Sequence, residues 1–359
     1  MRRFLECLVP VTACNLKCSY CYVIQESRRK NERAVFEKSP EYIGKALSAK
    51  RLGGTSYISI CGAGETLMSP ELPEVVKNIL LQGYFVNITT NCTLTNCLVS
   101  MLEATEGMHE RLHFAVSFHY VELLKRNLLD TFFDNIRLIR EAGCSFVLQI
   151  NLVDEYIPYW EEIKHISKER VGAYPQVALT RDESSCPFKI MTSLSNEDYY
   201  KVGSEMESPL FDFTYKNFNV KRKEFCYAGY WSAKLNLCTG VMTGCYGQGL
   251  RQNIYEDLDK DIKWVPIGKN CTAPFCFNSS HFMSQGIIPS LLPLPNYASL
   301  RNRDNAGWYT PCAKEFLGRQ FEDTNRVPGH LWELYHTSVS ILKRKMRSAI
   351  KIAKSTLQH

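Results

Sequence analysis

Three cysteines stand close together near the start of the chain, in Cys14-Asn-Leu-Lys-Cys18-Ser-Tyr-Cys21, a C-x3-C-x2-C run. Thiolates this close on one loop can take three corners of an iron–sulfur cubane and leave the fourth iron without a protein ligand. An open iron is a place where a chelating small molecule can bind. A closed structural zinc site would want a fourth ligand, and none lies nearby in the sequence. A second set comes later: Cys226, thirteen residues, Gly240, four residues, Cys245, and then Cys271 and Cys276. Four thiolates complete a coordination set with no open position, and two separated pairs also suit zinc. Cys238 is a rival ligand within this stretch.

The elements that must position these residues follow from hydrophobic patterning. Apolar runs at residues 4–11, 57–61, 85–89, 114–118, 146–152 and 177–179 read as strands, with amphipathic stretches between them. Ser39-Pro40 and Ser69-Pro70 each pair a cap residue with a proline at the first helical position. Gly83 and Gly143 stand where helices should stop. This alternation predicts an α/β fold over residues 1–185, with a parallel sheet or an incomplete barrel. Residues 186–286 are rich in Cys, Gly, Asn and aromatics and read as a small metal-stapled subdomain. In the last segment, 287–359, a Pro- and Asn-rich stretch (287–310) is expected to wrap the surface. A basic amphipathic helix follows, with Leu331, Leu334, Tyr335, Ile341 and Leu342 at helical spacing.

The first cysteine run, with Tyr20 before the third cysteine, resembles the signature of the radical S-adenosylmethionine (SAM) superfamily. The resemblance covers roughly the first half of the chain and implies a partial (β/α)6 TIM-like barrel with the cluster at the C-terminal end of the strands. It implies a [4Fe-4S] cluster on Cys14, Cys18 and Cys21, with the SAM amino and carboxylate groups on the open iron. It also implies reductive cleavage of SAM to methionine and a 5′-deoxyadenosyl radical. Cys61-Gly62-Ala63-Gly64-Glu65-Thr66 resembles the family's Gly-Gly-Glu-Pro motif, which contacts the SAM amino group. Ala63 and Thr66 depart from that pattern. Small residues let backbone approach a ligand, and a carboxylate can accept from an ammonium. Similar turns place Thr89-Thr90-Asn91 on the substrate side. Ser117, Gln149 and Asn151 are polar residues in apolar strands that want a partner, and are candidates for SAM contacts. The later cysteines resemble the SPASM/twitch auxiliary domain. That implies a second [4Fe-4S] cluster on Cys226, Cys245, Cys271 and Cys276, around a hairpin turning at Gly240. Only Cys312 remains downstream, which favours the one-cluster, twitch-like form. Cys7, Cys61, Cys92, Cys97 and Cys144 read mostly as small core residues.

Two fates of a substrate radical suit this architecture. An auxiliary cluster can take an electron, giving an oxidised product as in twitch-type enzymes of aminocyclitol biosynthesis. Alternatively a thiol can return hydrogen, giving an epimer, with Cys312 and Cys186 as candidate donors. The favoured substrate is a polar small molecule of sugar or aminocyclitol type, addressed by His119, Arg181, Asp182 and Glu183. A maturase of ribosomally made peptides is the alternative. Such enzymes often carry a leader-binding domain for which the sequence before Cys14 leaves no room. A zinc-stabilised binding module is the non-enzyme rival. The expected electron donor is of flavodoxin or ferredoxin type. A formal net charge of +6 is too mild to suggest a nucleic-acid partner. No run of about 18 apolar residues suggests a membrane span. Fifteen cysteines without a secretory leader suit a reducing, cytoplasmic setting. The basic C-terminal helix could make a weak contact with an anionic surface.

Overall fold

The computed structural model describes residues 1–185, 187–339, 341 and 342. Six strands occupy the apolar runs: β1 (Arg3–Val9), β2 (Ser56–Gly62), β3 (Phe85–Thr90), β4 (Leu112–Ser117), β5 (Ser145–Leu152) and β6 (Gln176–Leu179). They pair in parallel and in chain order. Helices such as Leu72–Leu80 bury an apolar face on the outside of this sheet, through Leu72, Val75, Val76 and Ile79. Ser39 caps the helix Pro40–Ala46, accepting from the Tyr42 N–H. The Ser69-Pro70 pair behaves differently. Leu72 N–H bonds back to the Ser69 carbonyl, so these residues form a turn, and the helix begins at Leu72.

After a small pair, β7 (Arg181–Asp182) with β8 (Lys189–Ile190), the chain returns to the main sheet. β9 (Ser232–Asn236) runs parallel to β1, pairing Phe4 with Ser232. β10 (Val241–Cys245) and β11 (Gln248–Asn253) add on in antiparallel fashion, giving the order β11-β10-β9-β1-β2-β3-β4-β5-β6. The β9–β10 turn passes through Gly240 at φ +75°, as the spacing predicted. A Cβ there would meet the Tyr255 ring at 2.2 Å. The hairpin is therefore an extension of the barrel sheet at its β1 edge.

The stretch expected to wrap the surface is anchored by a few buried side chains. Tyr297, Leu300, Arg301 and Trp308 are buried, and the segment plugs the N-terminal end of the strands. Tyr297 meets Tyr57 at the start of β2, ring centroids 5.2 Å apart. The Trp308 carbonyl accepts from Phe146 N–H at the start of β5, and Phe316 stacks on Phe85 at 3.9 Å. Around these anchors Pro293, Pro295, Asp304 and Asn305 stay exposed. Residues 330–339 are helical. The face that packs is Trp332, against Tyr230 and Phe225. The predicted stripe faces outward, with Leu331 82% and Tyr335 63% exposed. The basic residues from Lys343 onward lie outside the described residues. Among the described residues no helix is long and apolar enough to cross a membrane.

Trp308 also donates its indole N–H to the Val171 carbonyl at 2.9 Å. Trp308→Ala should therefore lower unfolding free energy by about 3–5 kcal/mol in chemical denaturation. A loss below about 1 kcal/mol would show that the segment is not part of the core.

Candidate active site

The loops at the C-terminal ends of β1, β2 and β3 meet at one point. The cysteine loop leaves β1 at Val9, and the Gly-Glu loop leaves β2 at Gly62. Gly64 N–H donates to the Val11 carbonyl at 2.5 Å and Glu65 N–H to the Ala13 carbonyl at 2.9 Å. A Cβ on Gly64 would lie 2.1 Å from the Ala13 oxygen. Glycine is required at 64 by the approach of the cysteine loop itself.

Glu65 is 3% exposed. Its carboxylate accepts from Leu67 N–H (3.1 Å), the Thr90 hydroxyl (2.6 Å) and Asn91 N–H (2.7 Å). Burial pushes its pKa up, and these three donors oppose the rise. Asn91 then donates from Nδ2 to Asn15 (2.9 Å) and toward Cys14 Sγ (3.8 Å), while its Oδ1 accepts from Thr93. Leu16 N–H also reaches Cys14 Sγ at 3.4 Å. Donors to sulfur tune and orient a cluster ligand. Arg29, which the sequence gave no reason to single out, braces the same loop by donating to the Cys14 and Leu16 carbonyls.

Cys14, Cys18 and Cys21 line a cavity of about 340 Å³ together with Tyr20, Gly62, Ala63, Gly64 and Glu65. Thr89, Thr90, Asn91, Ser117, His119 and Asn151 complete it. Among the described residues the side chains of Ser117, Gln149 and Asn151 make no hydrogen bond to protein, which leaves their polar groups for a ligand. Tyr20 is tied down by two hydrogen bonds at its hydroxyl, one shared with His119 Nδ1 (2.6 Å) and one with the Tyr156 hydroxyl (2.9 Å). Burial holds the His119 pKa down at about 4, so its ring is neutral near pH 7. Cys61, read from sequence as core, faces this cavity.

The chemistry of the donor set fits a cluster. Burial, then Cys14 and Cys21, push the Cys18 thiol up to about 12. Such thiols stay protonated unless a metal takes the thiolate. Among the described residues no three His, Cys, Asp or Glu side chains stand close enough to hold one metal ion. A cubane asks for a wider set, because each thiolate binds its own iron.

Cys226, Cys245, Cys271 and Cys276 line a second, nearly apolar pocket. Burial raises the Cys226 thiol, and the other three cysteines add to the rise. Cys276 is held up at about 12 for the same reasons. Cys238 is buried elsewhere, beside Glu71 and Glu37, and is absent from this lining. An inner cavity of about 250 Å³ lies between the two sets, with Gln149, Thr180, Arg181, Glu183 and His281 on its walls. It shares Tyr20, Tyr22 and Asn151 with the first cavity, and Cys276, Phe277 and Asn278 with the second pocket. Arg181 pairs with Glu183 at 2.7 Å. Asp182 instead closes a local turn, accepting from Ser184 N–H. His281 and Asn278 carried no sequence signal that linked them to β1.

Cys312 is not at this site. It sits in the helix Pro311–Gly318, near Glu110 and Arg111 and next to Thr310, which bonds to Ser145 at the start of β5. That is the opposite end of the barrel, so its role as hydrogen donor is withdrawn. Cys186, the other candidate donor, lies outside the described residues.

Gly64→Ala should displace the cysteine loop and cost the first cluster, about four irons per chain after anaerobic reconstitution. Ala63→Gly should keep them. Full iron retention in Gly64→Ala would contradict the contact with Ala13.

Residues 8–168 match the family model described as the radical SAM superfamily. No curated protein matches the chain. Among solved structures, Streptococcus suis SuiB is similar in fold at 18% identity and a TM-score of 0.50. That match covers 72% of this chain and spans only 65% of the SuiB chain. The anSMEcpe structure with bound AdoMet is 15% identical over 71% of this chain and 79% of that one, at a TM-score of 0.48. BtrN in complex with AdoMet and 2-DOIA is 14% identical over 90% of each chain, at a TM-score of 0.33. The cysteine loop and its Gly-Glu brace both lie within residues 8–168, the stretch that matches the radical SAM family model.

Proposed function

We propose that this chain oxidises a small polar molecule, of sugar or aminocyclitol type, using a second [4Fe-4S] cluster on Cys226, Cys245, Cys271 and Cys276. The observation that carries this reading is the inner cavity, which borders the first cavity at Tyr20, Tyr22 and Asn151 and the second cysteine set at Cys276. When bound, SAM and the first cluster supply a carbon radical that can take hydrogen from an unactivated C–H.

This chain's own residues would do the rest. Gln149 and Asn151 offer amide donors and acceptors that no described protein group occupies, which suits a hydroxyl-rich ligand. Arg181 is pre-oriented by Glu183 and by donating to the Phe277 carbonyl at 2.8 Å. Phe218, Phe275 and Phe277 add apolar surface to the cavity lining. Oxidation is favoured over epimerisation because a cysteine set borders the cavity whereas Cys312 lies at the far end of the barrel.

Anaerobic reconstitution should give about eight irons per chain with broad visible absorption, and reductant plus SAM should give 5′-deoxyadenosine. Replacing Cys14, Cys18 and Cys21 with Ala should abolish that product. Replacing Cys226 and Cys276 should leave about four irons and SAM cleavage, but no product from the substrate. With sugars and aminocyclitols assayed in heavy water, a carbonyl product without carbon-bound deuterium supports oxidation. Deuterium on a product carbon would mean epimerisation, modification only of a peptide would mean maturase activity, and a colourless zinc protein would overturn the reading entirely.

A further inference from the structure

Glu6 lies in the middle of β1 with its side chain inside the barrel, and it is 7% exposed. Isolated, a carboxylate there would be costly. Three groups compensate it, and all come from the segment around the second cysteine set. The Tyr246 hydroxyl donates to Oε1 at 2.5 Å. Asn278 donates from Nδ2 to Oε2 at 2.8 Å and to the Tyr246 oxygen at 3.3 Å. Lys234 Nζ, on β9, stands 3.6 Å from Oε1 and 3.4 Å from the centre of the Tyr246 ring. Tyr246 follows Cys245 directly, and Asn278 comes two residues after Cys276. One carboxylate thus fastens two of the cysteine-bearing segments to the strand that leads into the first cysteine loop. Tyr246 and Asn278 line the second pocket, and Asn278 also lines the inner cavity.

We propose that the Glu6–Lys234 pair is a positioning device that sets the reduction potential of the auxiliary cluster. This rests on the four-cysteine cluster of the preceding reading. Adding an electron to a cluster adds negative charge, so a nearby anion opposes reduction and a nearby cation favours it. Both groups are largely shielded from solvent, so salt screens them weakly. A purely structural brace would not respond to the sign of the charge removed.

The test is a redox titration of the full-length, anaerobically reconstituted protein, with each cluster followed by its electron paramagnetic resonance signal. Glu6→Gln should raise the auxiliary midpoint potential and Lys234→Gln should lower it. The double variant should return near the wild-type value. The potential of the SAM-binding cluster should shift less than that of the auxiliary cluster. Each single variant carries its own expected sign, so either tests the pair if the other fails to fold. Two clusters with unmoved potentials, or two single variants shifting the same way, would overturn this inference alone. A wild-type protein with one four-iron cluster would overturn it together with the reading it rests on.

Discussion

A carboxylate taken out of water must be given donors, and Glu65 receives them from the Gly-Glu loop after β2 and from the end of β3. That requirement fixes the relative position of the two loops. Asn91, held by Glu65, reaches the cysteine loop after β1 through Asn15 and Cys14. Gly64 closes the arrangement from below, because only a residue without a Cβ fits against the Ala13 carbonyl. The three thiols are therefore presented by a rigid junction of three barrel loops.

This gives Glu65 a role that the resemblance alone did not imply. The family motif suggests a carboxylate free to meet the SAM ammonium. Here both oxygens already accept hydrogen bonds from the protein, and the group acts through what it positions. Oε2 has a single protein donor, so it keeps capacity for one more. The same economy appears on β1. Glu6 ties the second cysteine set to that strand, and β1 runs on into Cys14, so one strand serves both sets of thiols.

Much of the architecture was legible because parallel strands buried on both faces read as plain apolar runs, and all six fell where expected. The first cysteine set was legible because all its ligands sit on one loop. The second set was legible only by resemblance, since its members come together through the β9–β10 hairpin and a distant segment. The partners of Glu6 and Glu65 were not legible. Local spacing carries no information about a contact between residues 6 and 278, which depends on how β9 docks on β1. The expectation for Cys312 failed. It was judged from its neighbours in sequence, but the aromatics that meet the strand starts hold its helix at the base of the barrel.

Three thiols in a braced loop would leave one iron open to SAM. Mössbauer spectroscopy of protein reconstituted with isotopically enriched iron tests this directly. Adding SAM should change the signal of one iron in the first cluster, about one in eight of the total, and leave the rest unchanged. Spectra in which SAM alters no iron would contradict it.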